Sequence, residues 1–264
     1  MLYEDGRLQT IAYFSQETDL PLTLGLIVDT SGSQYRLINA ERDASRQFLE
    51  QVLRAQIDRA FVVRFDRDVD VLEEPTGSVA KLDVALSRLD DSDTLGWRKR
   101  HPSEKPADRY WGTAFFDAVN ESSRDLMTKY TGRKALIIFS DGVDNASTNT
   151  PLHAIAAAQR ADALVYCVLF SDTNAYTGQH GHPRDVGKGL LRRISRETGG
   201  SYFEISNKLS LKQAFRRIEQ ELRSEYSLGY VSDQTQAGPA YRKIRLTTRR
   251  ADLTVQARDG YYAS

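Results

Sequence analysis

Four apolar runs of strand length, at 22–28, 60–65, 135–140 and 163–169, constrain this chain more than any other feature. Each is nearly uninterrupted, the pattern of a strand buried on both faces in a parallel sheet rather than one with a wet side. A shorter run at 201–205 reads the same way, and 68–72 reads as an antiparallel edge strand. Helical patterns fill the gaps, at about 38–56, 79–89, 114–129, 152–161, 187–198 and 209–224. Strand and helix in alternation predict an α/β domain over 20–224: a doubly wound, mostly parallel sheet with helices on both faces, Rossmann-like in layout. The ends read differently. Segments at 8–14, 226–231, 242–248 and 253–257 alternate polar and apolar residues or are rich in β-formers. They predict that 1–19 pairs with 225–264 in a small antiparallel β module.

Whole-chain properties exclude several classes. Lys plus Arg equals Asp plus Glu at 36 each, so no global charge steers the chain onto nucleic acid, and none is expected as a partner. No apolar stretch reaches the length of a membrane span, and no signal peptide is read at the start. Cys167 is the only cysteine, which excludes an intrachain disulfide; within the apolar run at 163–170 it reads as a buried, inert thiol. Nothing in the sequence sets the oligomeric state.

The chemistry concentrates where the first long strand ends. Asp29-Thr30-Ser31-Gly32-Ser33-Gln34 places one carboxylate and two hydroxyls around a single point, an oxygen set suited to a small hard cation. Two further positions belong to the same end of a doubly wound sheet. Thr113 stands at a helix start after a long loop, and Asp141 follows the central strand at 135–140. Open α/β sheets collect their ligands at the carboxyl ends of the strands. Three loops therefore offer two carboxylates and three hydroxyls to one place.

Asp29-Thr30-Ser31-Gly32-Ser33, Gly112-Thr113 and Ser140-Asp141-Gly142 resemble, in order and context, the metal-ion-dependent adhesion site (MIDAS) of von Willebrand factor type A domains. The tails resemble the von Willebrand factor A-related proteins of Acidobacteria, through Glu4-Asp5-Gly6, Ile11-Ala12-Tyr13-Phe14-Ser15, Glu225-Tyr226-Ser227-Leu228-Gly229-Tyr230, Arg242-Lys243-Ile244 and Arg258-Asp259-Gly260-Tyr261-Tyr262. The resemblance implies direct metal ligation by Ser31, Ser33 and often Thr113, with Asp29 and Asp141 acting partly through water and hydrogen bonds. It implies Mg²⁺, with Mn²⁺ or Ca²⁺ as alternatives, and a protein partner that presents an Asp or Glu carboxylate to the cation. It also implies an envelope or exported location. Gln34 stands where such proteins often carry Met, a position that is not a ligand in the family.

Rival readings attach to the same residues. A nucleophilic Ser31 or Ser33 lacks the G-x-S-x-G setting and a nearby His. A phosphorylated Asp29 calls for a second acid where Ser31 stands. Gly96, Gly112 and Gly142 make no phosphate-cradling loop with a lysine. A metal-dependent hydrolase or enzyme subunit, and a scaffold with a vestigial site, remain as alternatives to the binding module, which has no catalytic residues. Two long connections lie on the C-terminal side of the strands, where open α/β sheets place their ligands, and the first is expected to form part of the rim. One, at 91–112, carries Trp97, Arg98, Lys99, Arg100, His101, Tyr110 and Trp111; the other, at 171–188, carries Tyr176, His180 and His182. Asp144 is expected to hydrogen-bond within its own loop, and Glu41 and Asp43 to be solvated.

Overall fold

The computed structural model describes residues 1–16, 20–34, 36–54, 56–89, 112–170, 183–224, 226–233 and 241–262. The loop residues named above at 97–101, 110–111, 176, 180 and 182 lie outside the described residues. Three short strands, β1 (Leu2–Glu4), β2 (Arg7–Gln9) and β3 (Ile11–Ser15), come first. Then follow β4 (Leu22–Asp29), β5 (Arg59–Phe65), β6 (Val69–Thr76), β7 (Arg133–Phe139), β8 (Leu164–Leu169) and β9 (Tyr202–Glu204). These six form one sheet in the order β6-β5-β4-β7-β8-β9, parallel throughout except for β6, which runs antiparallel along one edge. The mostly parallel sheet expected from the apolar runs is therefore the centre of the fold.

Side chains that alternate along the strands feed two separate cores. Leu24, Leu26, Val28, Ile137, Phe139 and Val168 point to one face, under α1 (Ile38–Val52), α2 (Val79–Ser87) and α6 (Leu211–Arg223). Ile27, Phe61, Val63, Leu136, Ile138 and Cys167 point to the other, under α3 (Phe115–Glu121), α4 (Pro151–Arg160) and α5 (Pro183–Thr198). Cys167 is fully buried there, and burial pushes its thiol up to about 12, so it is inert as expected. Gly25 is the one position in β4 without a side chain because the Phe61 ring occupies the space: a Cβ there would sit 2.4 Å from Cζ. No described helix is long and apolar enough to cross a membrane.

One predicted helix is not uniform. The segment at 114–129 is helical from Phe115 to Glu121, opens into a π turn at Ser122–Leu126 and tightens to a 3-10 turn at Met127–Lys129. Its buried positions, Ala118, Val119, Ser122, Ser123, Leu126 and Met127, keep a helical spacing throughout, and that spacing is what the sequence displays.

The ends build two small antiparallel sheets from β10 (Ser227–Tyr230), β11 (Tyr241–Leu246) and β12 (Gly260–Tyr262) with the first three strands. Their orders are β12-β11-β1-β2 and β10-β3. The stretch 8–14, read as one strand, is two, each in a different sheet. The stretch 253–257 is no strand at all. Both sides of β11 are already taken by β1 and β12, and the segment instead lies over 199–201, where Gln256 Nε2 donates to the Gly199 carbonyl at 2.9 Å. A buried cluster ties the small sheets together. Glu4, fully buried, accepts from Arg242 Nη1 at 2.8 Å, Ser232 Oγ at 2.7 Å and the Tyr230 hydroxyl at 2.5 Å.

Candidate metal centre

The sheet order makes the site. The chain leaves β4 toward β5 on one side and returns to β7 on the other, so the carboxyl ends of β4 and β7 flank a topological switch point. Asp29 is the last residue of β4, and Asp141 lies two residues beyond β7. The loop after β4 is anchored to β5, since Thr30 N donates to the Phe65 carbonyl at 2.8 Å. It then winds into α1 through successive turns, Gln34 N to Ser31 O at 2.9 Å and Leu37 N to Gln34 O at 2.8 Å.

The side chains form one connected set. Asp29 Oδ1 accepts from Ser31 N at 3.0 Å and Oδ2 from Ser140 Oγ at 2.7 Å. Ser31 Oγ and Ser33 Oγ are 3.4 Å apart, and Ser33 Oγ donates to Asp141 Oδ2 at 2.8 Å. By giving its proton to Asp141, Ser33 keeps its lone pairs for a ligand, which is the arrangement a cation needs from a neutral hydroxyl. Asp29, Ser31 and Asp141 are buried, while Gly32 is exposed and Ser33 partly so, which leaves the serine loop as the face toward solvent.

Thr113 is buried, and its backbone is tied to the loop that follows Asp141. Thr113 N donates to Asn145 Oδ1 at 2.8 Å, and Thr113 O accepts from Asn145 N at 3.1 Å and Ala146 N at 3.2 Å. Its neighbour Ala114 N donates to Asp66 O, just past β5, at 2.6 Å. The Thr113 segment thus joins the residue after β5 to the loop after β7. Asp144 accepts from Ser147 Oγ at 2.6 Å within its own loop, as expected, and also from Phe116 N at 3.0 Å, a contact 28 residues away that holds the start of α3.

Two residues near the motif gain parts that the sequence reading did not give them. Gln34 is buried, and its Nε2 donates to Asp141 Oδ2 at 3.0 Å, so it positions the second acid. Glu41 is not solvated: it is fully buried on α1, in line with Ile38, Ser45, Phe48 and Val52. That stripe, at 38, 41, 45, 48 and 52, was the available signal, because Glu41 stands on the apolar face of its helix. Among the described residues, Gln34 Oε1, Glu41 Oε1 and Oε2, and Ser45 Oγ are buried without a hydrogen-bond partner.

The electrostatics of the site centre on Asp29. Burial, then the charge of Asp141, push the Asp29 carboxyl up to about 7, against its hydrogen bonds with Ser31 and Ser140. Buried oxygens without partners, and an acid raised by burial and by a second acid beside it, fit a divalent cation. No three His, Cys, Asp or Glu side chains among the described residues converge as a ligand cluster, so a cation here would depend on the hydroxyls. An acid raised in the folded state favours the protonated form. Its contribution is therefore full below the unfolded value of 3.8 and lost as pH rises through about 7. A bound cation keeps the carboxylate ionised and reverses the trend. Melting temperatures at pH 5, 6, 7 and 8 in EDTA and in Mg²⁺ are expected to diverge as pH rises. Asp29→Asn should remove the divergence, and a constant gap in the native protein would count against it.

The Asp141 loop also rests on α5. Gly142 has a φ of +75°, and a Cβ on it would meet the Gly187 carbonyl oxygen at 2.5 Å; a Cβ on Gly187 would meet the Asp141 oxygen at 2.2 Å. Helix and loop touch backbone to backbone. Gly187→Ala is expected to cost about 1–3 kcal/mol by overpacking and to weaken cation binding by moving Asp141. Gly189→Ala, on the same helix with nothing within 4 Å of the added Cβ, is expected to stabilise by about 0.5–1 kcal/mol. Denaturant melts of the two variants test the contrast, and equal shifts would refute it.

This fold is that of von Willebrand factor type A domains, and comparison with solved structures bears it out. A von Willebrand factor type A domain from Catenulispora acidiphila superposes with a TM-score of 0.55 over 77% of this chain and 43% of that one, at 17% identity. An aerotolerance-related membrane protein from Bacteroides fragilis gives 0.55 over 77% of this chain and 100% of that one, at 14% identity. The von Willebrand factor domain of a type V pili tip protein from Porphyromonas gingivalis gives 0.55 over 81% and 99%, also at 14%. No protein-family model matches the chain, and no curated protein matches it.

Proposed function

We propose that this chain is a protein-binding module that holds a divalent cation, Mg²⁺ in the first instance with Mn²⁺ or Ca²⁺ as substitutes. Asp29, Ser31, Ser33, Thr113 and Asp141 would hold it, and through it an Asp or Glu carboxylate of a partner protein. The carrying observation is the hydrogen-bonded series Ser140–Asp29–Ser31–Ser33–Asp141 at the switch point of the sheet. Neutral hydroxyls leave a divalent ion under-neutralised, which favours an added anionic ligand. When bound, the cation supplies a Lewis-acidic site for that anion. The chain's own residues orient the hydroxyls, and Gln34 and Val143 N hold Asp141 in place. The reading is of binding and not of catalysis, and the type V pili tip protein among the similar structures supports it. That protein and the aerotolerance-related membrane protein also support an envelope or exported location.

Thermal shift in Mg²⁺, Mn²⁺, Ca²⁺ and EDTA tests the cation. A rise with at least one ion, reversed by EDTA, is the expected result. Indifference to all three leaves only a scaffold with a vestigial site.

A further inference from the structure

Glu41 stands apart from the five motif residues. It lies in the first turn of α1, and none of its surface reaches solvent. Neither carboxylate oxygen has a hydrogen-bond partner among the described residues, and neither does Ser45 Oγ one turn further on. Asp29 and Asp141 are in the opposite condition. Their oxygens accept from Ser31 N and Ser140 Oγ, and from Ser33 Oγ, Gln34 Nε2 and Val143 N. Glu41 is close enough to Asp29 to feel its charge; burial and that charge both push its carboxyl well above the ordinary range.

A buried carboxylate with no donor is among the costliest groups a core can hold, and it is retained where a positive charge answers it. No apolar side chain of similar size would carry that penalty, and the neighbours Ile38 and Phe48 show that the stripe accepts apolar residues. We propose that Glu41 is the third acid of the cation site, acting behind Asp29 through its field and not as a ligand. The inference rests on the metal reading above. It assigns to α1 a part in cation affinity that the serine, threonine and aspartate motif does not contain.

The test uses the full chain, with free Mn²⁺ measured by electron paramagnetic resonance and melting measured in EDTA. Glu41→Gln keeps the shape and removes the charge; Glu41→Met removes both charge and polarity. Both are expected to weaken Mn²⁺ binding by roughly tenfold or more, the loss of one buried charge near a divalent ion. Glu41→Met is also expected to melt higher than the native chain in EDTA, since it removes an unanswered acid. Weaker cation binding with higher cation-free stability is a combination that a packing role does not give. Mn²⁺ affinity within twofold of native in both variants overturns the role of Glu41 and leaves the metal reading intact. A native chain that binds no Mn²⁺ overturns both.

Discussion

Asp29→Asn is expected to abolish the cation response while leaving the fold in place. The substitution keeps the side chain's size and an acceptor oxygen for Ser31 N or Ser140 Oγ, so the loop retains part of its anchoring. It removes the charge that holds a cation and relieves the repulsion from Asp141. In EDTA at pH 8 the variant should melt at or above the native temperature, because a fully buried carboxylate has become neutral. In Mg²⁺ it should show no shift. With Mn²⁺ the loss should exceed roughly a hundredfold, since removing one partner from a buried charged cluster costs about 3–5 kcal/mol. A variant that still gains stability from Mg²⁺ would remove Asp29 from the site.

The second large effect lies in the β module. Glu4→Ala is expected to destabilise the terminal strands by about 3–5 kcal/mol, the cost of leaving a buried guanidinium without its counter-charge. Arg242 is buried, and Glu4 also receives Tyr230 and Ser232, so β11, β10 and the flank of β10 lose the acceptor that ties them to β1. Burial alone would raise the Glu4 carboxyl, but the bonds from Tyr230, Ser232 and Arg242 and the charge of Arg242 hold it below its ordinary value. Its contribution is therefore present at neutral pH and lost as pH falls through that lowered value. Hydrogen exchange is the suitable readout. Protection should fall at Leu2–Glu4 and Tyr241–Leu246, while the centre of the six-stranded sheet keeps its own. Unchanged exchange in both strands would show that the cluster contributes nothing.

The central sheet was legible because burial on both faces leaves a mark in sequence, as in β4 from Leu22 to Val28, where all the side chains are buried. The nearness of the motif residues was legible because Asp29, Ser31 and Ser33 lie within five positions and Asp141 stands two residues beyond a strand. What was not legible depends on partners distant in sequence. The residues 253–257 have strand composition, but no open edge is left for them beside β11. Glu41 looks like a surface acid by type, and only its place on the α1 stripe, set by packing against the sheet, shows otherwise. The role of Gln34 requires Asp141, 107 residues away.

The pairing of the chain's two ends has a consequence in time. Met1 bonds Thr247 across a separation of 246 residues, and β1 lies between β2 and β11. During synthesis at about 5–20 residues per second, on the order of 10–50 s pass between the emergence of β1 and that of its distant partner β11. Strands β4 to β9 and their helices are complete before β10 emerges. Strand β3, whose partner is β10, is thus made early in this chain and paired late. Throughout that wait Phe14, which stacks on Tyr226 in the folded protein, has nothing to stack on, a window in which a chaperone or a second nascent chain competes for it.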